Sequence, residues 1–216
     1  MQKIKFGVVG CGHIGQRHIA VIEAEQQTEI VAICDVNQDI LKKLSEKYPQ
    51  VSTYTDYERM LSDASIDIVC ICTPHGLHAI MSIQAAYAKK HILVEKPMAL
   101  SCLESERMIQ AAEENNVSLY VVKQNRYNAP ILLTKKTLDD GRLGRIFMVQ
   151  CNVMWNRQDA YYAQSPWRGK KHLEGGALQT QVSHFLDLLV WWFGSIQEAK
   201  TIIDTLNHKI EIEDCG

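Results

Sequence analysis

The chain has 216 residues, of which 46% are hydrophobic and 22% charged, and its net charge is −2. This is the composition of an ordinary globular protein, with room for one large domain or two modest ones. The balanced charge and the lack of a polybasic run exclude an electrostatic case for nucleic acid or an anionic membrane, and no apolar run reaches the ~20 residues that span a bilayer.

Met1-Gln2-Lys3 leads straight into a strand pattern, so no secretory signal is expected. Ile4 to Val9 is short and apolar, and Gly10-Cys11-Gly12-His13-Ile14-Gly15 follows it and opens a helix pattern. In that setting the glycines let the backbone turn sharply and approach a pyrophosphate, whose charge meets the free N–H groups and dipole of the helix. A second strand, Ile30 to Cys34, delivers Asp35 at its carboxyl end, where a carboxylate accepts hydrogen bonds from the hydroxyls of an adenosine ribose. A 2′-phosphate at ~4 Å would be repelled by roughly 4 kcal/mol at an effective dielectric of 20. Val36-Asn37-Gln38 supply no cation to offset this, which points to NAD rather than NADP.

The βα rhythm continues with an amphipathic helix over Gln38–Lys47, a short helix over Tyr57–Leu61, and a strand over Ile66–Cys72 stopped by Thr73-Pro74. A helix over His78–Lys89, a strand over His91–Val94, a helix over Ser101–Asn115 and a strand over Val117–Val122 complete it. Ser101 and Glu104 stand at capping-box spacing. The alternation predicts an α/β fold, a Rossmann-type doubly wound parallel sheet over residues 1–123, with ligands outside the carboxyl ends of its strands. Those tips carry Gly10, Asp35, Thr73-Pro74, Glu95-Lys96-Pro97 and Lys123-Gln124.

From residue 124 the pattern changes. A helix over Ile131–Asp140, a strand over Arg145–Trp155, a polar aromatic loop over Gln158–Lys171, an apolar helix over Ala177–Phe193 and a strand over Ile196–Leu206 predict a second, α+β domain over 124–216. Its open, mainly antiparallel sheet reads as truncated, with unpaired edges that favour a homo-oligomer, a dimer or tetramer. The seven scattered cysteines fit free thiols in a reducing cytoplasm, and no metal site is expected from them. His75 and His78 suit a cofactor pocket better than a metal.

Two motifs carry chemistry. Pro97 holds Lys96 out of the helical region, and the bond between them is one that can be cis. A lysine becomes a proton acceptor when burial or nearby positive charge lowers its pKa, and an oxidised nicotinamide supplies positive charge. Second, Gly175-Gly176 open the apolar helix in which Thr180 and His184 share a face and His184 and Asp187 are neighbours. Such a histidine is a core residue unless the helix faces the nicotinamide.

Gly10–Gly15, Cys72-Thr73-Pro74-His75-Gly76-Leu77-His78, Glu95-Lys96-Pro97 and Gly175–His184, in this order and spacing, resemble the Gfo/Idh/MocA oxidoreductases across essentially the whole chain. Asp159-Ala160-Tyr161-Tyr162, Pro166-Trp167-Arg168-Gly169 and Gln181 are most similar to the branch that oxidises C3 of UDP-N-acetylglucosaminuronic acid for polysaccharide synthesis. The resemblance implies Lys96 and His184 as the proton-transferring pair. It implies that Gly10, Gly12, His13, Ile14, Gly15 and Asp35 hold the adenosine diphosphate half of NAD. Thr73, Pro74, His78, Glu95, Lys96 and Gln124 would lie along the nicotinamide, with Trp167 and Arg168 closing over the cofactor. Asn125, Arg126, Tyr127, Gln181 and His184 would border a sugar or sugar-nucleotide substrate. Many members have Asp four residues before the histidine and the sugar-nucleotide branch often Asn; this chain has Thr180. Members also continue beyond the point where this chain stops. Two other readings stand beside the dehydrogenase: a non-catalytic NAD-binding regulator or truncated inactive remnant, and an S-adenosylmethionine methyltransferase. The latter leaves Glu95-Lys96-Pro97 unexplained.

Overall fold

The structure is a computed structural model that describes residues 3–62 and 65–216. The chain divides into two compact units, residues 1–122 and residues 123–216.

The first unit is built on six parallel strands in the order β3-β2-β1-β4-β5-β6. These are β1 (Ile4–Val9), β2 (Thr28–Cys34), β3 (Ser52–Tyr54), β4 (Ile68–Ile71), β5 (His91–Val94) and β6 (Leu119–Val121). The helices are α1 (His13–Ala24), α2 (Gln38–Lys47), α3 (Tyr57–Leu61), α4 (His78–Tyr87) and α5 (Cys102–Glu114). Strand β3, for which the sequence shows no strand pattern, is a three-residue edge strand paired only through Ala32–Cys34 of β2. The strand order reverses between β1 and β4, which opens a crevice beyond Val9 and Ile71.

Parallel strands are covered on both faces, and alternate side chains feed two cores. Val8, Ile33 and Cys70 point to one, with Ile19 and Ile22 of α1 and Leu41 and Leu44 of α2. Val9, Ala32, Val69 and Ile71 point to the other, with Met60 of α3, Ala79 and Ala85 of α4 and Met108 of α5. Ile33, Ile71 and Ile92 are fully buried, and each such side chain contributes roughly 1.5–3 kcal/mol. Helix starts are set locally. Asn37 accepts from the Asp39 and Ile40 amides, and Asp56 from the Arg59 amide. Ser101 accepts from the Glu104 amide while Glu104 takes the Ser101 hydroxyl and the Leu100 amide.

The second unit is helical where it is regular. A 3₁₀ turn over Gln124–Tyr127 leads into α6 (Ala129–Asp139), followed by α7 (Asp159–Ala163). A π-helical turn over Leu178–Val182 then runs into α8 (Ser183–Phe193). The expected open, mainly antiparallel sheet is not formed: among the described residues, 145–155 and 196–206 form no ladder, and the one bridge joins Asp204 to Cys215. A helix satisfies its own backbone, whereas a strand exists only through a partner, and among the described residues these segments have only the Asp204–Cys215 bridge. Their apolar side chains are bare, with Phe147 83%, Met154 94% and Ile202 90% exposed. Among the described residues no helix is long and apolar enough to cross a membrane.

Candidate functional site

The crevice of the first unit starts at the glycine turn. Gly10 has φ +83°, and a Cβ there would lie 2.7 Å from the Cys72 carbonyl carbon and oxygen. A Cβ on Gly15 would overlap the Gly10 carbonyl oxygen. Gly12 has open space instead, with nothing within 4 Å of a Cβ, and it caps α1 without a side-chain hydrogen bond. The first turn of α1, with exposed His13 and Ile14, therefore presents free N–H groups beside an open approach, which fits an anionic diphosphate. Asp35 stands half-buried at the end of β2, its Oδ2 accepting from the Cys11 amide (2.6 Å) and its Oδ1 from the Asn37 amide (2.8 Å). These bonds tie the carboxylate to the glycine turn and leave each oxygen a further lone pair for a ribose hydroxyl.

The β4 and β5 tips form the other wall. Thr73 and Pro74 are half-buried. His78 lies inside the wall, fully buried, with Nδ1 2.7 Å from the Pro97 carbonyl oxygen and Nε2 3.0 Å from that of Thr73. Burial holds its imidazolium pKa down, so the neutral ring donates to one of the two carbonyls. It braces the wall between the two carbonyls. Glu95 is likewise buried at the β5 tip. It is 7% exposed and turned inward, with Oε1 2.8 Å from His18 Nε2 and Oε2 accepting the Lys96 amide at 3.1 Å. Lys96 is half-buried at this tip, and its bond to Pro97 is cis.

His18 is the residue that sequence reasoning missed. It follows the glycine turn by one helical turn, and its donor nitrogen converges with the thiols of Cys70 and Cys72 within 4.8 Å. The two sulfurs are 3.6 Å apart. Burial pushes the His18 imidazolium down, but hydrogen bonds with Cys70 and Glu95 outweigh it and hold its pKa up at about 10. Burial pushes the Glu95 carboxyl up, and the bond and charge of His18 bring it below the ordinary range. His18 thus contributes stability fully below 6.5, lost as pH rises toward about 10; Glu95 contributes above 4.5, lost as pH falls. Hydrogen bonds with Cys72 and His18 bring the Cys70 thiol down to about 6, so Cys70 gains between pH 6.5 and 9 what His18 loses. Urea midpoints are therefore expected to decline mainly on the acid side, as pH falls below 4.5 and Glu95 is protonated.

In the second unit, Gln124, Asn125 and Tyr127 sit on the 3₁₀ turn, with Gln124 and Tyr127 exposed. Arg126 is occupied: its Nε and Nη2 grip both oxygens of Asp187 at 2.8 and 2.7 Å, and the guanidinium lies 5.3 Å from the Trp191 ring. This fixes the turn to α8 and leaves the Arg126 side chain 35% exposed. His184 is 7% exposed on α8, one turn before Asp187. Thr180 is buried, and its hydroxyl returns to the Gly176 carbonyl (3.0 Å) as back-bonding within the helix. Gln181 links Arg157 Nη2 (2.6 Å) to the Tyr161 hydroxyl (3.1 Å). Arg168 lies 3.9 Å over the Tyr161 ring and 4.9 Å over Trp167. Buried Glu174 takes the Gly169 amide and stands 3.7 Å from Arg168. A cavity of about 550 Å³, lined by Arg157, Tyr162, Thr180, Gln181, His208 and Asp214 among others, opens beside this cluster. Its volume is that of a small-molecule site.

The first unit thus has the crevice of a dinucleotide-binding oxidoreductase domain. Residues 4–123 match the oxidoreductase family with NAD-binding Rossmann fold, and residues 131–216 match the GFO/IDH/MocA C-terminal domain; the chain belongs to this family. It is similar to the WlbA dehydrogenase of Bordetella pertussis, solved with NADH and UDP-GlcNAcA: 41% identity and TM-score 0.95, over 99% of this chain and 65% of that one. The Chromobacterium violaceum WlbA complex with the same molecules gives 38% and 0.95, over 99% and 62%. Levoglucosan dehydrogenase of Pseudarthrobacter phenanthrenivorans is 27% identical over 95% of this chain and 55% of its own length. The chain spans about half the length of the curated relatives it matches, 55%, 46% and 42% of the first three.

Proposed function

We propose that this chain carries the cofactor and substrate sites of an NAD-dependent dehydrogenase acting on a sugar-nucleotide hydroxyl, C3 of UDP-N-acetylglucosaminuronic acid. The observation that carries this reading is the glycine turn and Lys96 on one crevice of a chain 41% identical, over 99% of its residues, to a dehydrogenase solved with NADH and UDP-GlcNAcA. Gly10, Gly12 and the first turn of α1 suit the diphosphate, and Asp35 suits the adenosine ribose. When bound, NAD supplies the hydride acceptor. Lys96 accepts the proton of the substrate hydroxyl, and His184 of α8 assists. The inward turn of Glu95 and the buried brace of His78 keep the Lys96 tip in place. The bare apolar side chains of 145–155 and 196–206 support a homo-oligomer.

NADH formation from UDP-N-acetylglucosaminuronate and NAD tests the reading. NAD binding without turnover on any sugar nucleotide would favour the non-catalytic regulator. NAD is expected to bind at least about tenfold more tightly than NADP, ~1.4 kcal/mol of the Coulomb penalty surviving screening. Fluorescence titration of both cofactors measures this, and Asp35→Ser should narrow the gap; equal affinities for the parent would overturn the role of Asp35.

A further inference from the structure

Helix α1 begins at the glycine turn, and Glu95 lies 77 residues further on from His18, at the end of β5, yet a hydrogen bond joins the two elements. His18 Nε2 is 2.8 Å from Glu95 Oε1, with 17% and 10% of the two side chains exposed. The other carboxylate oxygen accepts the Lys96 amide at 3.1 Å. With both oxygens claimed from different elements, the plane of the carboxylate is fixed, and so is the start of the Lys96 turn. The groups that face His18 are Glu95 of the β5 tip and Cys70 of β4, with Cys72 beside it.

We propose that His18 is a positioning residue: it anchors Glu95, Glu95 anchors the Lys96 amide, and the helix that faces the cofactor phosphates and the turn that carries Lys96 form one unit. This rests on the reading of Lys96 as proton acceptor. A buried, hydrogen-bonded ion pair is weak evidence for stability, since apolar side chains of similar volume often serve as well. What the pair does secure is geometry. Without His18, Glu95 Oε1 is left buried and unsatisfied, and the carboxylate is free to rotate away from the Lys96 amide.

The test follows amide hydrogen exchange by NMR in the full chain. In His18→Leu the Lys96 amide is expected to exchange at least about tenfold faster, while the Ile92 and Glu95 amides, bonded to Ser118 and Ile71 carbonyls, stay within about twofold. His18→Gln, which keeps a donor near the Nε2 position, is expected to restore protection. Turnover in His18→Leu should fall about tenfold with NAD affinity within about threefold, a loss that truncating a mere packing residue would not confine to kcat. A Lys96 amide unchanged in His18→Leu overturns the proposal, and so does equal acceleration throughout β5, which marks a purely structural residue. If His18→Leu does not fold, Glu95→Gln takes its place: faster exchange confined to the Lys96 amide supports the proposal, and no change or uniform acceleration overturns it. Exchange as expected in a parent that reduces no NAD would leave the positioning role standing and remove the dehydrogenase reading instead.

Discussion

Replacing Lys96 by alanine is expected to lower turnover about a thousandfold, ~4 kcal/mol of barrier, while the affinity for NAD changes by less than about threefold. The diphosphate is met by backbone N–H groups at Gly12 and α1 and the ribose by Asp35, so cofactor binding has little need of the Lys96 ammonium. Among the described residues, two titratable groups near Lys96 at this tip are already engaged. Glu95, the carboxylate next to Lys96, is turned inward to His18, and His78 is closed off by two backbone carbonyls. Stopped-flow measurement of NADH formation under single-turnover conditions isolates the chemical step. Activity within about tenfold of the parent would show that Lys96 is not the principal base.

What the sequence reveals about the first unit follows from how local its signals are. Helices α2 and α3 and strands β1 and β5 have the bounds that the sequence pattern predicts, because the apolar runs, and the Asn37 and Asp56 caps seen in the structure, act within a few residues of themselves. Strand β3 carries only Ser52-Thr53-Tyr54, too short and polar to show alternation, and it exists because β2 offers an edge. The strands expected over 145–155 and 196–206 show the converse. Their β-branched and aromatic content is real, but strand character is completed by a neighbour, and among the described residues the single bridge from Asp204 to Cys215 builds no ladder. The turn residues Gly10, Gly12, Gly15 and Asp35 were legible because their spacing follows from the backbone chemistry of a phosphate site. His18 was not, since a lone histidine in a helix looks like any other until Glu95 and Cys70 are brought against it. Nor does spacing reveal that Arg126 pairs with Asp187, 61 residues away.

Two glycines of the same turn are expected to fail in opposite ways when changed to alanine. At Gly15 the new methyl overlaps the carbonyl oxygen of Gly10, a backbone atom that cannot swing aside, and the Cys72 side chain closes the other side at 3.6 Å. Helix α1 must shift away from β1 and β4, at a cost of roughly 2–3 kcal/mol or more. The urea midpoint of Gly15→Ala should fall accordingly, and its NAD affinity with it. At Gly12 the methyl meets no protein atom within 4 Å, so Gly12→Ala should lose no more than about 1 kcal/mol, the cost of a poorer helix cap. Yet the space it enters is the approach to the free N–H groups of α1. NAD affinity should therefore drop at least about tenfold in a protein that unfolds almost like the parent. Urea unfolding paired with fluorescence titration separates the two effects. Undiminished NAD affinity in Gly12→Ala would mean that the diphosphate does not pass over this residue. In that case the open space at Gly12 would have no bearing on the cofactor, and the anion would have to be held by some other part of the crevice.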